Sequence, residues 1–355
     1  MSNRLTSQPA SFPEYPLEDL SEFLQDPPLS ELNQQSVLVT GGTGFIGSHL
    51  VRTLDALGVS PSLFVLDYER QTLPANSSIY HGNLADLHDC LRIVGRVNPE
   101  IVFHLAAQPL VDTAMDSVID TMESNVRGAY NFLEACRNVG KRIKAIVWIS
   151  TDKVYGSQPD AYNESSPLVG FDHPYDASKL CGDLLAQTYA RAFQMPIVIV
   201  RSGNVYGEGD LHWDRLIPGT IRSALFGKPP LIRSNGLLKR DYIYAGDMIR
   251  AYLKTLSAAL QGKLAAGAAV NFGAMQPHTV LDVVHKILAV TERPDLAPVI
   301  QDHARSEIPE QHVTFDFARM VLGWEPLVDL ERGIQKSVDW YTRFFKLDEI
   351  MPEPL

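Results

Sequence analysis

Residues 36–57 contain the feature that most restricts what this chain can fold into. A short apolar run, Ser36-Val-Leu-Val-Thr40, meets Gly41-Gly-Thr-Gly44-Phe-Ile-Gly47 and passes directly into the helical pattern SHLVRTLDAL. A strand that stops on glycines and restarts as a helix needs a tight turn, which glycine permits because it lacks a Cβ. The same glycines let the backbone approach a pyrophosphate, and the N-terminus of the following helix faces its negative charge. A glycine turn used only for packing is the competing reading. Against it, the next apolar run, PSLFVLD, ends on Asp67, twenty residues after Gly47. A carboxylate there accepts hydrogen bonds from an adenosine ribose and repels a 2′-phosphate, which favours NAD over NADP. Gly41, Thr43, Gly44, Phe45, Ile46, Gly47 and Asp67 are therefore the first cofactor candidates.

The alternation continues. PEIVFHLA, KAIVWIST and MPIVIVR are further Val/Ile/Leu runs of strand length separated by helical patterns. Continuous apolar strands of this kind are buried on both faces, so the spacing predicts an α/β chain with a doubly wound parallel sheet of the Rossmann type. Beyond Arg201 the alternation loosens. QPHTVLDVVHKILAV and LERGIQKSVDWYTRFF read as amphipathic helices of a smaller C-terminal lobe. We expect a partly flexible N-terminal extension over 1–34 and an NAD-binding domain over 35–202 that takes later strands from about 241–275. Segments 203–240 and 276–345 then form a substrate-binding lobe.

With 45% hydrophobic residues and no apolar stretch near the roughly 18 needed for a membrane span, the composition is that of a soluble globular protein. A net charge of −11 argues against nucleic acid and anionic membrane as partners and points to a small molecule. Cys90, Cys136 and Cys181 have no metal-like spacing and are expected to be buried, reduced thiols of a cytoplasmic protein. The N-terminus lacks a basic segment followed by an apolar one. Ten histidines without ligand spacing predict no metal site.

Two turns lie where a dinucleotide would pass. His81-Gly-Asn83-Leu84 follows the third strand, where an adenine edge is met, and Ala106-Ala107-Gln108 follows the fourth, near the phosphates or nicotinamide ribose. Either could be a plain strand-to-helix turn. Further on, Tyr175 and Lys179 are four apart at a helix start, so both side chains share one face. There the ammonium can lower the phenol pKa towards the value a general base needs. Alone, Tyr-x-x-x-Lys is a common accident; its weight comes from the cofactor motif before it.

Taken together, GGTGFIG, HLAAQ, ESNVRGAYNFLEA, ISTDKVYG, YDASK, RSGNVYG, KRDYIY and the closing LGWEP with Trp340-Tyr341 resemble the extended short-chain dehydrogenase/reductase superfamily over roughly residues 36–345. Within it the pattern is similar to the nucleotide-sugar 4,6-dehydratases. AAQPLV and Gly203-Asn-Val-Tyr-Gly-Glu-Gly-Asp210, followed by Asp214-Arg215 and Pro218, resemble the CDP-glucose branch. Leu211 and Lys239-Arg240-Asp241-Tyr242 depart from that branch, the second resembling the wider set of epimerases and dehydratases. The resemblance implies cofactor contacts from Asn125 and Ser150 besides Asn83, Leu84, Ala106, Ala107, Gln108, Tyr175 and Lys179. It implies substrate contacts from Gln108, Asn204, Arg215 and Arg240; Arg233 is a further candidate, with a plain surface charge as its competing reading. It also implies a homodimer built on the helices around 115–137 and 176–193.

Within the family pattern, Asp152 and Lys153 stand out. A 4-epimerase only moves hydrogen at C4, whereas a dehydratase must also remove the C5 proton and protonate the departing C6 hydroxyl, which takes two more titrating groups. The resemblance therefore implies an NAD-dependent hydro-lyase acting on an NDP-hexose. Tyr175 and Lys179 would serve C4, Thr151 the developing oxyanion, Lys153 the C5 proton and Asp152 the C6 hydroxyl. A 4-epimerase, decarboxylase or reductase of the same fold is the alternative, a non-catalytic NAD-binding regulatory protein is a third reading, and a surface ion pair is the bland reading of Asp152 and Lys153.

Overall fold

The computed structural model describes residues 21–66, 73–74, 76–274, 276–302 and 308–346. The apolar runs become β1 (Val37–Thr40), β2 (Ser62–Val65), β3 (Ser78–His81), β4 (Ile101–His104), β5 (Ala145–Ile149) and β6 (Ile197–Ser202), joined by β11 (Ala269–Phe272) from later in the chain. These seven form one sheet in the order β11-β6-β5-β4-β1-β2-β3, every pairing parallel. Strand order reverses between β1 and β4, opening the crevice at the carboxyl ends of the strands where doubly wound sheets bind ligands.

Because side chains alternate along a strand, the sheet builds two cores. Val37, Val39, Leu63, Val65, Phe103, Val147 and Val200 face one layer, which includes helices α1 (Phe45–Ala56) and α6 (Ala245–Leu260). Leu38, Phe64, Val102, Ile146, Trp148 and Ile199 face the other, with α2 (Leu87–Val97), α3 (Gly128–Val139) and α4 (Pro174–Phe193).

The remaining strands are short. β7 (Asn204–Tyr206) pairs with β10 (Tyr242–Tyr244), β8 (Leu231–Ile232) with β13 (Val299–Ile300), and β9 (Lys239–Arg240) with both β12 (His278–Thr279) and β14 (Glu310–Gln311). With α5 (Leu216–Leu225), α7 (Val280–Val290) and α8 (Leu330–Phe344) they enclose separate apolar clusters around Trp340, Tyr341 and Val284. No described helix is long and apolar enough to cross a membrane.

Within the extension, residues 21–34 pack on the body: Phe23, Leu29 and Leu32 are buried. Glu22 pairs with Arg250 and Lys254, and Ser257 donates to Asp26. Cys90 and Cys136 are buried as expected, but Cys181 is exposed. It lies on the outer face of α4 beside exposed Leu184, while Gly182 and Asp183 face inward.

Candidate active site

The glycine turn has the geometry its sequence requires. Gly41 is left-handed at φ +70°, and a Cβ there would lie 2.8 Å from the Ala106 nitrogen. A Cβ on Gly47 would fall 2.1 Å from the Gly41 carbonyl oxygen, so α1 packs against its own entry turn only because position 47 has none. Gly44 is the N-cap of α1 and, having no side chain, makes no side-chain bond to the N–H groups of the first turn. This cradle fits a pyrophosphate. Thr43, Phe45 and Ile46 lie on the same turn. Asp67 falls outside the described residues.

The turn after β4 is held from below. Thr40 Oγ1 is hydrogen-bonded to His104 Nδ1 at 2.9 Å and accepts the Ala106 N–H at 3.1 Å. His104 is stacked between Phe132 and Trp148, and burial lowers its pKa to about 3, so it stays neutral. Ala107 and Gln108 follow. The Gln108 amide turns back to the Leu110 carbonyl and Thr121, while its backbone exchanges two bonds with the Asn125 side chain. Asn125 lies on a π-helical turn, Glu123–Arg127, and also donates to Ser178 Oγ at 2.9 Å. It thus ties the turn after β4 to α4, one residue from Lys179. After β3, Asn83 Oδ1 accepts the Ala85 N–H, and the Leu84 carbonyl accepts from Asn131.

The end of β5 carries the remaining candidates. The Ser150 hydroxyl donates to buried Asp183, which also holds Arg201 by two 2.9 Å bonds. Thr151 caps a 3-10 turn, Asp152–Tyr155; it donates to Asp152 Oδ1 at 3.1 Å and accepts the Lys153 N–H. Asp152 is only 2% exposed, and its Oδ2 has no hydrogen-bond partner among the described residues. Burial raises its pKa to about 6, against the pull of Lys153, Thr151 and Arg240, with Asp176 adding to the rise. Gly203 lies beside it: a Cβ there would make ordinary contact with Asp152 Oδ2 at 3.7 Å and a tight one with the Asp241 carbonyl oxygen at 3.1 Å.

Tyr175 and Lys179 share a face of α4 as the spacing requires. Lys179 donates to the Ile149 carbonyl at 3.0 Å, and burial lowers its pKa to about 8. The expected depression of the Tyr175 hydroxyl is not produced by the protein's own groups. Burial raises it, Asp176 and Asp152 add to the rise, and the opposing charge is Arg215 rather than Lys179.

The arginines differ in their commitments. Arg215, at the head of α5, pairs with buried Asp210 at 2.9 Å and is close enough to act on Tyr175. Arg240 is buried on β9, donates to the Ile308 carbonyl and acts on Asp152. Asn204 on β7 donates to the Asp241 carbonyl. Arg233 is exposed and already paired, to Asp112 and to the Asp214 carbonyl. His173 and Asp176, on either side of Tyr175, escaped the sequence reading. The Pro174 that opens α4 marks position 173 as its cap.

Residues 37–271 match the NAD dependent epimerase/dehydratase family. The chain belongs to that family, whose fold and glycine cradle it has. It is 31% identical over 342 residues to dTDP-glucose 4,6-dehydratase of Haemophilus influenzae, covering 86% of this chain and 97% of that protein. It is equally 31% identical over 339 residues to CDP-glucose 4,6-dehydratase of Salmonella typhimurium, covering 89% and 92%. Among solved structures it is similar to a UDP-glucose 4-epimerase of Thermotoga maritima with UDP-glucose, at TM-score 0.80 and 26% identity over 87% of this chain and 99% of that one. A dTDP-glucose 4,6-dehydratase of Streptomyces venezuelae, with NAD and TYD bound, gives TM-score 0.77 and 26% identity over 86% and 96%.

Proposed function

We propose that this protein is a 4,6-dehydratase of a nucleotide-diphosphate hexose, releasing the 4-keto-6-deoxy sugar and water. The observation that carries the reading is Asp152: a buried carboxyl with one uncommitted oxygen and a pKa raised to about 6, next to Lys153 at the end of β5. A surface ion pair would be solvated and would hold the acid ionised. This one is poised to give up a proton near neutrality, which elimination needs and epimerisation does not.

Bound NAD supplies a reversible two-electron acceptor, and the glycine turn at 41–47 with Asn83, Leu84, Ala106 and Ala107 is where it would be held. Tyr175 takes the C4 hydroxyl proton, with Lys179 beside it. Thr151, whose hydroxyl can rotate off Asp152 Oδ1, donates to the C4 oxygen. Lys153 removes the C5 proton that a C4 ketone acidifies, and Asp152 protonates the C6 hydroxyl as it leaves. The hydrogen taken from C4 would return to C6 as Lys153 gives its proton back to C5, so there is no net oxidation and the product differs from the substrate by one water. Arg215, Arg240 and Asn204 serve the diphosphate, to which a guanidinium fork can donate two bonds. Arg233 would have to leave Asp112 to join them. CDP is the nucleotide we expect, on the likeness of AAQPLV and of Gly203-Asn-Val-Tyr-Gly-Glu-Gly-Asp210 with Asp214-Arg215 and Pro218 to that branch.

A 4-epimerase is the second reading, favoured by the likeness to the Thermotoga enzyme. Mass spectrometry after incubation with CDP-, dTDP-, UDP- and GDP-hexoses separates the two. A product lighter by about 18 mass units identifies a dehydratase and its nucleotide, since one water is lost; an isomer of unchanged mass identifies an epimerase and leaves Asp152 and Lys153 without their roles.

A further inference from the structure

We propose that His173 is a positioning residue for Tyr175, holding the catalytic end of α4 through an imidazole cap. This rests on reading Tyr175 as the group that takes the C4 hydroxyl proton. His173 is the N-cap of α4, in extended conformation at φ −132° and ψ 140°, and its Nδ1 accepts the backbone N–H of Tyr175 at 3.1 Å. The bond is made to the reactive residue itself, and Pro174 at the first helical position leaves that N–H as the first one needing a partner.

The cap also ends a short tether. Three residues earlier, Gly170 donates its N–H to the Val154 carbonyl at 3.0 Å, and a Cβ on it would fall 2.1 Å from the Lys153 carbonyl oxygen. The chain is thus fastened to the Asp152–Tyr155 turn at Gly170 and to Tyr175 at His173. The span 170–173 sets where the C4 group stands relative to the C5 and C6 groups. Accepting the Tyr175 N–H requires Nδ1 without a proton, which leaves Nε2 carrying the ring's proton. Ser, Thr, Asp and Asn are the ordinary caps, so the ring is replaceable in this role by another short acceptor.

The test compares His173→Ala with His173→Asn, using substrate deuterated at C4. Loss of the cap should lower kcat about tenfold with KM within about twofold, because misplacing a reacting group slows chemistry more than it weakens a diphosphate-anchored ligand. The C4 isotope effect on kcat should rise as C4 oxidation becomes the slow step. Asn, which keeps an acceptor at that position, should restore kcat to within about threefold and the isotope effect to its wild-type value. Two results would overturn the proposal: His173→Ala with unchanged kcat and isotope effect, or His173→Asn impaired as much as the alanine variant. If the alanine variant does not fold, the asparagine and a serine variant still decide, both being required to retain turnover. A Tyr175→Phe variant that turned over normally would instead sink the assignment of Tyr175, whatever His173 does.

Discussion

Asp152 concentrates the consequences of burial in one carboxyl. Its folded pKa, about 6, lies above the ordinary 3.8, so between those values the folded chain holds a proton that the unfolded chain has released. Stability therefore falls as pH rises through that window, by about 3 kcal/mol for a shift of this size. Asp152→Asn removes that cost. The variant should melt higher than wild type at pH 8, with the difference vanishing near pH 4, and turnover to the dehydrated product should fall at least a hundredfold. In the wild type, kcat/KM for elimination should decline as pH rises above about 6, as the proton-bearing form is lost. Lys153→Met should abolish water loss yet spare C4 oxidation, read as C4 deuterium transferred from labelled substrate to the cofactor in a single turnover. At Gln311 both amide atoms are buried without partners among the described residues. Gln311→Met should raise stability by about 1 kcal/mol, measured by urea melts, because an unsatisfied buried amide costs more than a thioether of similar shape.

At the scale of elements, the readable parts were those whose period or punctuation is local. GGTGFIG declared its turn because the close approach of Gly47 to Gly41 admits no Cβ. Gly47→Ala should lower NAD affinity more than tenfold and cost about 1–3 kcal/mol, checked by cofactor titration and thermal melts, since backbone rather than a flexible side chain must yield. Tyr175 and Lys179 were paired by helical spacing alone. Pro174 is the local mark of the cap at His173, which the reading of the sequence passed over. The π-helical turn that aims Asn125 at both Gln108 and Ser178 has no such mark, because the extra residue per turn is imposed by partners 17 and 53 positions away. The bond from Ser150 to Asp183 was hidden for the same reason: Asp183 comes from α4, and the Arg201 that it also holds from β6.

On the scale of the whole molecule, exposed Met115, Val118, Ile119, Tyr130, Leu184 and Phe193 lie on the stretch 111–139 and on α4. This is the face on which we expect a second copy to seat; light scattering should then give about 79 kDa, twice the 39.4 kDa chain, and Ile119→Asp with Leu184→Asp should yield the monomer mass. By itself the sequence determined the doubly wound sheet, the glycine cradle and the roster of titrating residues, since strand period, helical spacing and glycine sterics act over a few neighbours. Only the tertiary structure decided which of those residues are chemically unusual. Asp152 is an acid poised near neutrality because burial, with Asp176 adding to the rise, outweighs the pull of Lys153, Thr151 and Arg240. Arg233 is committed to Asp112, 121 positions away in the chain. Burial and charge are set by what the fold brings together, and no window of sequence contains them.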